Sequence, residues 1–260
     1  MLSKNKIKFI NSLKKKKNRI NKRLFLVEGE KINYELIDSS YRIHEAFATE
    51  SYISKLPKDK RSSFQHLHSV TEGELQKISD LKTPNKVLSV VEIPEHSISS
   101  EEIKNSLSLV LDKINDPGNL GTIIRTADWF GIKQIFCSSD SVDLYNPKVI
   151  QATMGAFTRV NVFYENLTEF LSHYQDLKDF PIYGTFLEGD DIYSSSLKNK
   201  GLIVMGSESH GISEELSSYI DQKLYIPPYS RNKKLQQSES LNLSVATGII
   251  CSEFRKKLFR

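Results

Sequence analysis

Residues 107–131 read LSLVLDKINDPGNLGTIIRTADWFG, and this stretch decides the fold. Leu107, Leu109, Val110 and Leu111 pass from alternation into a continuous apolar run, the mark of a buried strand. Asp116-Pro117-Gly118-Asn119 then breaks the run with a tight turn. From Asn119 onward Leu120, Ile123, Ile124, Ala127 and Phe130 recur at helical spacing, which predicts a helix over 119–130, stopped by Gly131. Thr122, Arg125 and Trp129 share a different face of that helix. Such a unit puts Asn119 at a helix N-terminus and holds Arg125 on a rigid element, which is how a site is pre-organised. Taken singly, Asn119 also reads as a cap, Gly118 as a turn residue and Arg125 as a solvated charge.

Outward from this unit the same alternation continues. Strands are expected at 133–138, 160–163, 181–186, 201–206 and 222–226, with helices near 147–154, at 166–175 and at 240–257. Strands alternating with helices argue for a mostly parallel sheet covered on both faces. On the N-terminal side, Arg23-Leu-Phe-Leu-Val-Glu-Gly29 reads as a strand ending in a glycine turn. The segments 31–37, 42–48, 66–70, 72–78 and 87–93 continue as strand and helix candidates of a smaller α/β domain. Pro94 to Glu101 reads as a linker, so the expected domains are 1–97 and 98–260.

With 38% hydrophobic and 26% charged residues in 260, the composition is that of a globular chain. Cys137 and Cys251 lie in apolar contexts without CxxC or Cys/His spacing, so no disulfide framework and no metal site are expected. They read as buried thiols of a reducing, cytoplasmic compartment. No apolar run approaches the length of a membrane span, and the basic N-terminus lacks the apolar core of a signal peptide.

The net charge of +4 conceals an asymmetry. Residues 1–23 hold ten Lys or Arg and no acid, leaving 26 basic residues against 32 acidic ones elsewhere. A basic arm suits a polyanion, because each cation beside a phosphate releases condensed counterions; its bland alternative is a solvated helix face. Lys14, Lys15, Lys16, Arg19 and Arg23 are its candidate contacts to such a polyanion. Phe9, Ile10 and Leu13 give the arm helical spacing.

DPGNLGTIIRTA resembles the first motif of the SpoU, or TrmH-like, branch of the SPOUT RNA methyltransferases. Ile203-Val-Met-Gly-Ser-Glu-Ser-His-Gly-Ile212 resembles the second motif, and Ile226-Pro227 with Glu239-Ser-Leu-Asn-Leu-Ser-Val-Ala-Thr-Gly248 the third. The N-terminal half, through Phe25-Leu-Val-Glu-Gly29 after a basic segment, resembles the substrate-binding domain that precedes many such catalytic domains. The resemblance implies transfer of a methyl group from S-adenosylmethionine to a ribose 2′-hydroxyl, a C-terminal trefoil knot and a homodimer with its active site near the interface. Ribosomal RNA is favoured over transfer RNA by the extra N-terminal domain. The reaction needs positioning and deprotonation of a weakly acidic alcohol, and no metal.

Residue by residue, the resemblance implies Asn119, Arg125, Glu208, Ser240 and Asn242 as the catalytic set. Arg125 is expected at the ribose hydroxyl; its guanidinium, with a pKa above about 12, suits charge stabilisation better than proton abstraction. Ser240 and Asn242 are expected to orient Arg125, and Glu208 to hold Arg125 or Asn119. Gly206, Gly211, Ile226 and Leu241 are implied as the donor pocket, with His210 a bystander. Where the family has a short glycine-containing loop, this chain has Pro228 to Glu239 without glycine. Arg231 and Lys233 in that loop, beside Tyr229, are further candidate RNA contacts, and the rim of the donor pocket is accordingly unusual. Other readings are a transfer-RNA methyltransferase and a catalytically silent RNA-binding assembly factor. A dinucleotide-binding enzyme fails, because Gly118 and Gly121 do not make the GxGxxG fingerprint.

Overall fold

The computed structural model describes residues 1–228 and 240–256, which form two compact units. The smaller unit joins Met1–Glu95 with Asp143–Arg159, and the larger joins His96–Val142 with the chain from Val160 onward.

In the smaller unit, strands β1 (Leu24–Glu28), β2 (Ile43–Ala48), β3 (Leu67–Ser69) and β4 (Val87–Glu92) form a mixed sheet in the order β1-β4-β2-β3. Two helices, α1 (Lys4–Ser12) and α2 (Lys16–Lys22), make up the basic arm, and α3 (Glu30–Ile37) follows β1. The arm is docked. Ile10 and Leu13 are fully buried in a cluster with Leu26, Phe47, Leu75 and Leu88. Docking also neutralises part of the arm's charge: Lys6 pairs with Glu45 at 2.9 Å, Lys14 with Asp80 at 3.0 Å and Arg19 with Asp143 at 2.7 Å.

Arg19 corrects the sequence expectation that it faces RNA. It is 2% exposed, and its guanidinium donates to the carbonyls of Leu13 and Lys14 as well as to Asp143. A planar fork of five donors suits a chain corner with several bare carbonyls, and here it is committed to one.

The segment Asp143–Arg159, expected with the C-terminal half, packs inside the smaller unit. Phe25 of β1 lies 4.5 Å from Tyr145 and 5.9 Å from Phe157, ring centre to ring centre, and Gln151 donates to the carbonyl of Glu28. Aromatic rings packed in this way bury large apolar area.

The larger unit is built on seven parallel strands: β5 (Leu107–Leu111), β6 (Gln134–Ser138), β7 (Asn161–Glu165), β8 (Ile182–Phe186), β9 (Asp190–Asp191), β10 (Gly201–Met205) and β11 (Gln222–Tyr225). Their order is β7-β6-β5-β10-β8-β11-β9, and β5, β6 and β10 are almost wholly buried, as near-continuous apolar runs in a parallel sheet should be. Helix α4 (Pro117–Trp129) presents Leu120, Ile123, Ile124 and Ala127, each 0% exposed, while Arg125 and Trp129 face out. Burying such side chains stabilises by roughly 1.5–3 kcal/mol each for the larger ones. The helix starts two residues earlier than expected: Asp116 is its cap, accepting from the backbone N–H of Asn119 at 2.8 Å, and Pro117 fills the first position. Helix α5 (Leu243–Arg255) packs against α4, and Arg255 donates to the carbonyl of Phe130 at the end of α4.

All seven strands run the same way, so their C-terminal ends open on one edge. Ligand sites of open parallel sheets form there. The segments after β5, β10, β8 and β11 carry Asn119, Glu208, Leu187 and Ile226.

Candidate active site

Three segments distant in sequence meet at one carboxylate oxygen. Glu208 Oε1 accepts from Asn119 Nδ2 at 3.2 Å, from Asn242 Nδ2 at 2.6 Å and from the backbone N–H of Leu243 at 3.1 Å. Asn242 Nδ2 also lies 3.0 Å from Asn119 Oδ1. Each member is placed by local structure. Asn119 is the third residue of α4, one turn beyond the Asp116 cap. Asn242 caps α5, its Oδ1 accepting from the N–H groups of Ser244 and Val245 while its amide nitrogen reaches Glu208. One side chain thus ends a helix and ties it to the loop, where a carboxylate near two helix N-termini also meets their positive ends.

Glu208 sits at the tip of the loop that follows β10. Ser207 and Gly211 exchange backbone hydrogen bonds of 3.1 and 2.9 Å, closing a tight turn. Gly206 admits no side chain: a Cβ there would lie 1.9 Å from the carbonyl carbon of Gly211. Gly211 itself has φ +66°, a conformation natural to glycine, and open space faces its Cα. Ile226 is half-buried one residue past β11, and Leu241, beside Asn242, is 46% exposed. Exposed backbone at Gly211 with apolar Ile226 and Leu241 on the same edge suits a purine read by main-chain groups, so these residues fit an adenosyl donor. Leu187, 67% exposed after the intervening strand β8, belongs to the same edge and was not anticipated.

Arg125 is not drawn into the Glu208 cluster. Among the described residues, no hydrogen bond or ion pair joins it to Asn119, Glu208 or Asn242. It lines an open groove of about 690 Å³ between α4 and α5, with Thr122, Trp129, Tyr193, Gly248 and Glu253. The expectation that Glu208 holds Asn119 is met; that it holds Arg125 is not. Ser240 is exposed, two residues before the Asn242 cap. His210 shares a hydrogen bond of 2.7 Å with Ser209 and stays outside the cluster. Arg231 and Lys233 lie outside the described residues.

Sequence reading missed Asp116, although Asp-Pro at the first turn is itself a helix-start signal, and the N–H of Leu243, which no side-chain pattern can reveal. Groups of three or more His, Cys, Asp or Glu able to hold a metal are absent among the described residues. Burial pushes the Cys251 thiol up to about 12 and that of Cys137 higher still, which removes both from nucleophilic chemistry at neutral pH.

Residues 106–252 match the model of the SpoU rRNA Methylase family, and residues 4–89 that of an MRM3-like substrate binding domain. Over 251 residues the chain is 27% identical to the 23S rRNA (guanosine(2553)-2′-O)-methyltransferase RlmP of Bacillus subtilis, covering 96% of each. Over 200 residues it is 32% identical to the 23S rRNA (guanosine-2′-O-)-methyltransferase RlmB of Haemophilus ducreyi, covering 75% of this chain and 78% of that one. A TrmH-family protein from Porphyromonas gingivalis superposes with a TM-score of 0.85 at 35% identity, over 99% of both chains. An AdoMet-bound rRNA methyltransferase from Sinorhizobium meliloti gives 0.83 at 28% identity, over 99% of this chain and 97% of that one. The motifs that meet at Glu208 lie inside the matched region, and the chain belongs to the SpoU rRNA methylase family.

Proposed function

We propose that the protein transfers a methyl group from S-adenosylmethionine to a ribose 2′-hydroxyl of ribosomal RNA. The observation that carries this reading is the convergence of Asn119, Glu208 and Asn242 on one hydrogen-bonded centre at the ligand-binding edge of the sheet. Relatives that act on 23S rRNA, one matching nearly end to end, support ribosomal over transfer RNA. A silent assembly factor would have no need to keep this centre intact.

When bound, the donor supplies a methyl group already activated on a sulfonium, so the chain's own work is placement. The turn at Gly206–Gly211, with Ile226 and Leu241, holds the adenosyl moiety. Glu208 fixes Asn119 and Asn242 against each other. Arg125 orients the target phosphate and stabilises negative charge developing on the ribose oxygen, the task for which a permanently charged fork is suited. Ser240 helps orient the same groups.

The working form in this reading is a homodimer with the family's trefoil knot, in the cytoplasm. Trp129, 83% exposed, and Val245, 52% exposed, are large apolar side chains left open on α4 and α5, and Arg125 lines the same groove as Trp129. A second copy seated there would bury the tryptophan and complete the surroundings of Arg125. The N-terminal domain, 1–97 in the sequence reading, supplies the RNA grip through Lys15, Lys16 and Arg23, with Arg231 and Lys233 from the long loop; Lys14 is committed to Asp80. Lys15, Lys16 and Arg23 are exposed.

The test is transfer of labelled methyl groups to ribosomal RNA from cells lacking the gene, followed by mapping of the ribose-methylated nucleotide. Incorporation into that RNA, and none into RNA from cells that keep the gene, is the expected result. No incorporation into either, with no donor binding in a titration, would leave a silent RNA-binding factor; donor binding with incorporation into transfer RNA alone would move the substrate there.

A further inference from the structure

Asp112 is 3% exposed at the end of β5 and touches both ends of the loop that carries Glu208. We propose that Asp112 is a positioning residue for methyl transfer, a clasp that closes the base of the 206–212 loop and thereby sets Glu208 at its tip; this rests on the methyltransferase reading of the site.

The backbone N–H of Asp112 donates at 2.9 Å to the carbonyl of Met205, the last residue before the loop leaves the sheet. Its Oδ2 accepts at 2.8 Å from the N–H of Ser213, the first residue after the loop returns. Between them Gly206 lies against Gly211 and Ile212, Ser207 and Gly211 exchange hydrogen bonds, and Ile212 is anchored in the apolar core with Val110, Val204 and Leu216. The segment is a closed ring with Asp112 at its base.

At its tip, a single oxygen of Glu208 must stay within hydrogen-bond reach of donors on two other segments. Any opening of the base moves that oxygen away from all three donors together. A buried carboxylate is a costly way to accept one N–H unless the strength of the bond matters, since a charge-assisted hydrogen bond is about twice as strong as a neutral one.

The experiment compares Asp112→Ala, Asp112→Asn and Ser213→Pro. Ser213 has φ −60°, which proline accepts, so that substitution deletes the N–H on the other side of the same bond. Two readouts are taken on the full chain: the side-chain amide NMR signals of Asn119 and Asn242, and kcat and KM for RNA. Asp112→Ala and Ser213→Pro should both shift those signals toward their positions in Glu208→Ala and lower kcat about tenfold, with KM for RNA within twofold. Asp112→Asn, which keeps an oxygen for the Ser213 N–H but not its charge, should lose about threefold, between the parent and Asp112→Ala. In a Glu208→Ala background, Asp112→Ala should cost nothing further in kcat.

Unmoved amide signals in Asp112→Ala and Ser213→Pro, or kcat losses that multiply with Glu208→Ala, would overturn the clasp. If Asp112→Ala does not fold, Ser213→Pro decides by the same criteria. Shifted signals in a parent protein that methylates no RNA would keep the clasp and sink the methyltransferase reading; unmoved signals in an active parent would sink the clasp alone.

Discussion

Asn242 donates to Glu208 at 2.6 Å while its own carbonyl oxygen caps helix α5, so the start of that helix and the loop after β10 cannot move independently. The carboxylate is therefore the point at which the three segments are held together, while Arg125 on α4 lines a separate groove.

Glu208→Gln should test that meeting point. The amide oxygen can accept only while the amide NH2 faces away from the three donors, and the charge assistance is lost. Because the group is exposed, stability should change by less than about 1 kcal/mol, whereas kcat should fall at least tenfold. Equal kcat in the variant, measured by methyl incorporation, would mean that the cluster does not serve catalysis.

Arg125→Ala should reduce methyl transfer by about a hundredfold to a thousandfold, the usual scale for removing one charge-stabilising donor. Donor affinity, measured by titration calorimetry without RNA, should stay within twofold, because the groove that Arg125 lines includes none of Gly206, Gly211, Ile226 and Leu241. Weaker donor binding would move Arg125 to the donor pocket.

Much of this was legible in the chain itself, for physical reasons. The buried stripe Leu120, Ile123, Ile124 and Ala127 imposes a helix wherever a sheet lies beneath it, and the apolar runs of β5 and β10 have no other stable environment than a covered sheet. The site residues were legible only through motif resemblance: 89 residues separate Asn119 from Glu208 and 34 separate Glu208 from Asn242, so periodicity has nothing to say about their meeting. Asp112 escaped because a single acid after a strand carries no pattern. Arg19 misled because charge in a sequence does not reveal which cation is buried to hold a chain corner.

The docked arm changes what a test of RNA binding should remove. Deleting residues 1–22 would strip Ile10 and Leu13 from the apolar core, and weaker binding would then report unfolding. Changing Lys15, Lys16 and Lys17 to serine spares that core, since all three are exposed and none is in an ion pair among the described residues. The slope of log K against log salt for RNA should become shallower by about 0.7–0.9 for each phosphate that the variant no longer neutralises. An unchanged slope would assign these lysines to solvent.

Trp129→Glu should weaken self-association by about thirtyfold or more, the scale of replacing a buried aromatic anchor with a charge. Sedimentation velocity across a concentration series reads this directly. A parent protein that remains monomeric throughout would end the dimer proposal.

The thiols offer a check on the buried core. With Cys251 pushed up to about 12 and Cys137 higher, neither forms thiolate at pH 8, so the native protein should show no rapid reaction with an aromatic disulfide reagent and two thiols after denaturation. Rapid labelling of the native form would contradict the burial of one of them.

The enclosure of Phe25 by Tyr145 and Phe157 has a consequence for how the chain matures on the ribosome. N-terminal domains generally fold first during synthesis, at about 5–20 residues per second. Here the first unit lacks part of its aromatic core until residues 143–159 have been made, by which time β5, α4 and β6 of the second unit already exist. Both units must therefore be assembled in overlapping time, and a fragment ending at the linker would emerge with Phe25 and Tyr41 short of their partners.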